Sequence, residues 1–358
     1  MAVRSLSAII ALALATSQVA NAALTKRFTC ATGQVTAHSA CCALFPIVEK
    51  LQTELFDGGE CGEEAHSALR LAFHDAIGFS VNGGKGGGAD GSILAFNSTE
   101  TLFHANGGTD DIVASQWPVF KETKLSAGDF VHLAAAVGIT NCAGSPRLNF
   151  FLGRSPPRAA APDLTVPEPT DSVTSILARF DDAGFSPAEV VALLASHTIA
   201  AAAIDPSIPG TPFDSTVETF DSQVFLEVLL KGKLFPGNGP QSGEVLSPIA
   251  GEMRLQSDFA ISQDHRTACL WQNMINNQHL MVTNFKNAMT KLQLLGHNED
   301  FLTDCSDVIP TPAPFAGPIK FPASFSKKDV QIACVQSAFP SLATVAGPAP
   351  TIPPVPPS

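Results

Sequence analysis

Cys41 and Cys42 stand side by side in a 358-residue chain that carries eight cysteines. Neighbouring cysteines in an unstrained segment do not readily bond each other, so each needs a different partner. An even number of cysteines in an exported chain implies a disulfide framework. Export is read from residues 1–22, where Arg4 is the charged start, Leu6 to Ala15 the apolar core and Ala20-Asn21-Ala22 the small-residue cleavage site. That core is too short to span a bilayer. Lys26-Arg27 is a dibasic processing site, so residues 23–27 read as a short propeptide and the mature chain starts near Phe28. No other long uncharged apolar run exists, and a soluble, secreted product is expected. Asn97-Ser98-Thr99 is a glycosylation sequon. Removing residues 1–27 takes away Arg4, Lys26 and Arg27 but no acid, so the net charge falls from −12 to −15. Such a surface argues against nucleic acid and anionic membranes as partners.

Leu69-Arg70-Leu71-Ala72-Phe73-His74-Asp75 is the stretch richest in chemistry. Ala65, Ala68, Leu69, Ala72 and Phe73 recur at helical spacing as a buried stripe, and Glu63, Ser67, Arg70 and His74 form a second stripe. A permanent cation beside a base that switches near neutral pH suits cleavage of a polar O–O bond; alone, the pair also fits an ordinary amphipathic helix. The glycine-rich run 83–92 lacks the lysine and helix of a phosphate loop. Asp75, Asp90, Ser92 and the Gly88 carbonyl are hard oxygen ligands suited to Ca²⁺, the alternative being a solvated turn. Asn106 either accepts from a histidine ring or merely makes a turn before Gly107-Gly108. Ser126 starts an apolar core helix in which His132 reads as a satisfied core histidine. Five prolines between Ser155 and Thr170 make the candidate boundary between two halves.

Ser186-Pro187-Ala188-Glu189 is a capping box that opens an apolar helix running to His197, either a packed residue or a metal ligand. Thr198, Asp214, Thr216 and Asp221 again offer oxygen ligands, and Asp258 is a carboxylate able to orient a ring N–H. Ser326 to Asp329 is expected to start a last short helix carrying Cys334. The proline-dominated tail from Gly347 is expected to be extended or disordered.

In LRLAFHD (69–75), GGGADGS (86–92), LLASHT (193–198), GTPFDST (210–216), RLQSD (254–258) and DCSDVIP (304–310), the chain resembles the secreted fungal haem peroxidases, the group of lignin, manganese and versatile peroxidases. The resemblance covers nearly the whole mature chain. It implies a mainly α fold, disulfide-stabilised, in which two helical halves sandwich one haem b. The expected divisions are 28–165 for the distal half, 166–320 for the proximal half, and 321–358 for a C-terminal helix and proline-rich tail. It implies His197 as the haem ligand, Asp258 as the acceptor of its ring N–H and Phe213 as a residue packed beside the haem. His74 is implied as general base and then acid, Arg70 as the electrostatic stabiliser, Phe73 over the haem plane, and Asn106 as the residue holding His74, with Glu100 completing that relay. Two Ca²⁺ sites are implied, from Asp75, Gly88, Asp90 and Ser92 distally and from Thr198, Asp214, Thr216, Thr219 and Asp221 proximally. The implied disulfides are Cys30–Cys42, Cys41–Cys305, Cys61–Cys142 and Cys269–Cys334.

Departures from the family pattern narrow the substrate. Of three carboxylates that hold Mn²⁺ in manganese-oxidising members, only Glu63 survives; Ser67 and Ala203 occupy the other positions. The surface tryptophan of lignin-oxidising members is replaced by Ala192. Trp271 matches a core position, and Trp117 reads as a packed helix residue. What remains is a monomeric generic peroxidase that uses H2O2 to oxidise phenols and dyes at the exposed haem edge near His104. Three rivals are a manganese peroxidase with a degenerate site, in which Glu63 and a rearranged acid such as Asp205 bind weakly, long-range oxidation through Trp117, and a secreted haem-binding protein without turnover.

Overall fold

The computed structural model describes residues 27–202, 207–237, 239 and 241–356. The expected signal peptide, most of the propeptide, Ala203 and Asp205 lie outside them. The longer helices are α1 (Phe45–Lys50), α2 (Glu63–Ala76), α3 (Thr109–Lys121), α4 (Ala127–Gly138), α5 (Val173–Asp182), α6 (Pro187–Leu193), α7 (Gln256–Gln263), α8 (Ala268–Met274) and α9 (Gln278–Leu292). The described strands are two residues long and form three antiparallel pairs, Phe28–Thr29 with Val35–Thr36, Phe151–Leu152 with Thr303–Asp304, and Glu244–Val245 with Arg254–Leu255.

Two helix pairs position the chemistry. α2 lays Ala65, Ala68, Leu69 and Ala72 against α4, whose residues are all buried. The alanines let the backbones approach closely, and Glu63 and Glu64 complement the α2 dipole. Ser126 caps α4 by accepting from Asp129 N–H at 3.1 Å. On the other side α6 packs on α9, which turns Met281, Phe285, Ala288, Met289 and Leu292 inward. Each large apolar side chain so buried contributes about 1.5–3 kcal/mol. α6 starts with the expected capping box between Ser186 and Glu189, Pro187 lying in its first turn. It ends earlier than expected: Leu194–Ile199, including His197, is a 3₁₀ segment. Trp271 is fully buried and donates its indole N–H to the Phe225 carbonyl at 2.9 Å. Trp117 is half-buried and packs on Phe120.

Four disulfides join Cys30 to Cys42, Cys41 to Cys305, Cys61 to Cys142 and Cys269 to Cys334. The C-terminal helix needs correction. Only one 3₁₀ turn forms, Lys327–Asp329, and Cys334 lies beyond it. The chain there turns extended because Val330 bridges to Leu230 and Gln331 N–H bonds the Leu229 carbonyl, which a helix would forbid. The tail is extended and held down: Ile352 and Val355 donate to the carbonyls of Ala250 and Gly210, and Val355 is buried.

Candidate active site

α2 carries Arg70, Phe73, His74 and Asp75, and it touches the 3₁₀ segment that carries His197. His74 is buried, with Nδ1 2.8 Å from Asn106 Oδ1. The acceptor on Asn106 fixes the tautomer with the proton on Nδ1 and leaves Nε2 as a lone-pair base. Burial, and then the Arg70 charge, push the imidazolium down to about 3 against the Asn106 bond, so the ring is neutral. Asn106 is held in turn, its Nδ2 donating to Glu100. That contact is with the Glu100 backbone carbonyl at 2.8 Å, so Glu100 stands behind Asn106 through its main chain. The Glu100 carboxyl instead accepts from Ala161 N–H at 2.9 Å, and burial pushes it up to about 7. Arg70 donates to the Gly107 carbonyl at 2.8 Å; burial lowers it only to about 10, so it stays cationic. His74, Glu100 and Asn106 line a narrow cleft with Phe103 and residues 161–166. Phe73 stacks on Phe180, 5.8 Å between centroids, and stands edge-on to His74.

His197 Nδ1 lies 2.7 Å from Asp258 Oδ2, and the edge of its ring meets Phe213 at 5.5 Å. An imidazole locked at Nδ1 by a buried carboxylate presents Nε2, made more basic, as a ligand for an iron. The donor set therefore fits haem.

Both oxygen clusters are assembled. Asp75 accepts from Gly91 N–H at 2.9 Å, Asp90 from Ser92 N–H at 3.1 Å, and the buried Ser92 Oγ has no hydrogen-bond partner. Burial pushes Asp75 and Asp90 up to about 7. Two buried acids, an orphaned hydroxyl and the Gly88 loop fit a bound Ca²⁺. On the proximal side Thr198 Oγ1 lies 2.5 Å from Asp214 Oδ2, and Thr216 Oγ1 is 3.1 Å from Asp221 Oδ1. Thr219 closes the loop through its N–H to the Thr216 carbonyl. Burial raises both acids, Asp221 to about 7, which again fits a divalent cation.

Several contacts were not legible beforehand. His132 is a satisfied core histidine, but its Nε2 sits 3.2 Å from Asp75 Oδ2. Glu227 binds Ser215 and Gln223, and burial and then the Glu227 charge raise the fully buried Glu252 well above the ordinary carboxyl range. Isolated glutamates in apolar segments gave no signal. His104 is exposed and paired through Nδ1 with Glu168 at 3.0 Å; a glutamate fixed between Pro167 and Pro169 was the available clue. Ser67 Oγ donates to Glu63 Oε1 at 2.8 Å, so the lone surviving Mn²⁺ carboxylate already has a neighbour. Ala192 is buried, so this chain has no surface position at the place of the family tryptophan. Asn97 is half-buried with its amide donating to the Leu94 carbonyl. A cluster of Cys61, His66 and Cys142 is no metal site, because both cysteines are in a disulfide.

Histidines locked at Nδ1, one by an amide oxygen and one by a carboxylate, inside a disulfide-stapled helical fold, define the class of histidine-ligated haem enzymes that handle peroxide. Comparison with known proteins is consistent with this. A peroxidase family model matches residues 47–277, and a model of the fungal peroxidase extension region matches 280–357. A versatile peroxidase of Pleurotus eryngii is 58% identical over 94% of this chain and 93% of its own. A manganese peroxidase of Phlebia radiata is 54% identical over 97% and 98%, and a ligninase of Phanerodontia chrysosporium 48% over 100% and 99%. The chain belongs to the peroxidase family, in its fungal branch, and is an H2O2-dependent peroxidase. No described helix is long and apolar enough to cross a membrane.

Proposed function

We propose that this protein is a secreted, monomeric generic peroxidase that spends H2O2 on small phenolic and dye-like aromatic donors at an exposed haem edge near His104. The observation that carries the reading is the pair of histidines locked at Nδ1. His197, held by Asp258 and flanked by Phe213, would ligate the haem. When bound, haem supplies a redox iron that takes two oxidising equivalents from H2O2 and passes them to donors. Neutral His74 takes the peroxide proton on Nε2 and returns it to the departing oxygen, while the Nδ1–H keeps its proton and donates a hydrogen bond to Asn106 Oδ1 throughout. Arg70 stays charged and stabilises the negative charge on that oxygen. Phe73, stacked on Phe180, would lie over the haem plane. Asp75, Gly88, Asp90 and Ser92 would hold one Ca²⁺, and Thr198, Asp214, Thr216, Thr219 and Asp221 a second, with residues 28–165 and 166–320 as the distal and proximal halves.

The Mn²⁺ reading is not favoured, because Ser67 and Ala203 stand where the second and third carboxylates are expected and Mn²⁺ prefers several carboxylate and water oxygens. The test is steady-state turnover with Mn²⁺, a small phenol and a high-potential non-phenolic aromatic. The expected result is ready phenol oxidation and negligible saturable Mn²⁺ oxidation, which Ser67→Glu with Ala203→Asp should introduce. Saturation of the unaltered enzyme by sub-millimolar Mn²⁺ would overturn the generic assignment.

A further inference from the structure

Leu164 has a backbone and a side chain where a leucine is not expected. Its φ is 61°, a left-handed conformation that bulky residues rarely adopt. Asp163 Oδ1 accepts its N–H at 2.7 Å. The side chain stands 84% exposed at the end of the exposed run 162–164, which is anchored by the buried Ala161 and Thr165. A residue held out in this manner, at a site of function, is a legitimate pointer to a role.

Its position gives that role content. Leu164 lines the mouth of the cleft that reaches His74, Glu100 and Asn106. That cleft has about 10 Å³ of free space, room for roughly one water. A cleft that narrow admits no aromatic ring, so a donor of that size must stop outside. Four residues on, Glu168 bridges to the exposed His104, so the strand of chain that presents Leu164 is tied to the segment beside the cleft.

We propose that Leu164 is a specificity-determining residue of the donor site, the apolar surface on which an uncharged aromatic donor rests its ring while it is oxidised outside the cleft. The inference rests on the aromatic-donor reading above. A conformation locked by Asp163 keeps the contact preorganised, so little freedom is lost on binding.

The test uses the full-length, haem-loaded enzyme and the variants Leu164→Gly and Leu164→Met. For each, KM and kcat are measured with 2,6-dimethoxyphenol and with ferrocyanide, alongside the bimolecular rate with H2O2 and the melting temperature. In Leu164→Gly, KM for the phenol should rise roughly three- to tenfold through lost apolar contact. KM for ferrocyanide and the H2O2 rate should not change, and the melting temperature should hold or rise because glycine accepts this φ. Leu164→Met should keep most of the affinity for the phenol. Equal shifts for both donors, or none for the phenol, would overturn the assignment while leaving the aromatic-donor reading intact. An unaltered enzyme that consumes H2O2 with ferrocyanide but not with the phenol would overturn both.

Discussion

Two buried histidines on α2, His74 and His66, illustrate how one helix assigns opposite tasks to the same side chain. His74 has an acceptor on Nδ1 and a cleft beside it. General base catalysis is worth about two to four orders of magnitude, so His74→Ala should slow the reaction with H2O2 by at least roughly a hundredfold in stopped flow, with the fold intact. His66 has no such outlet. Its Nδ1 is buried without a partner, and its Nε2 only approaches Cys61 Sγ. Burial pushes its pKa down to about 4. Its folded value is thus below the ordinary 6.5, and the unfolded chain binds the extra proton between those values. Stability from this group is full above about pH 6.5 and is lost as pH falls towards 4. His66→Leu should flatten that part of the acid limb of a denaturation series by about 1–3 kcal/mol. An unchanged slope from pH 6.5 to 4 would disprove it.

At the scale of elements, the two oxygen clusters couple loops to the segments that carry chemistry. Asp75 ends the LRLAFHD stretch one residue after His74, and Thr198 follows His197. A cation at either site would fix the register of a catalytic segment. Stripping Ca²⁺ should therefore lower the melting temperature, and adding it back at about a hundred times its Kd should restore roughly 2.7 kcal/mol; Asp90→Ala should abolish the distal share. A melting curve indifferent to chelator and to Ca²⁺ would refute the sites. The existence and type of these elements were legible from short-range chemistry: the capping box at Ser186, the Ser126 cap, the alanine stripe of α2. What was not legible is how α6 ends. The tightening into Leu194–Ile199 accompanies tertiary bonds, His197 to Asp258 and Thr198 to Asp214, whose partners are distant in sequence. The missing last helix has the same cause, since Val330 and Gln331 are claimed by Leu230 and Leu229.

Across the whole molecule, the candidate site was readable because its motifs are local, each a handful of consecutive residues. The support behind it was not, because a Glu227–Ser215 bond or a His132–Asp75 bond leaves no trace in spacing. The disulfides cross both kinds of distance. Cys42 closes on Cys30, 12 residues away, while its neighbour Cys41 waits for Cys305, 264 residues further on. On the secreted reading proposed above, Cys30 emerges during synthesis into an oxidising compartment with two adjacent suitors and no Cys305 to claim the wrong one. A Cys30–Cys41 bond is the natural early error, and it can be undone only by thiol–disulfide exchange. Reduced protein refolded in a plain oxidant should accumulate this mispaired species, which mass mapping would detect, and a disulfide isomerase should speed recovery from hours towards minutes. Refolding to full activity at the same rate with and without isomerase would show that the chain sorts its neighbours unaided. On the geometry above, the yield of this enzyme from a foreign host should rise with how long Cys30 can be kept from Cys41.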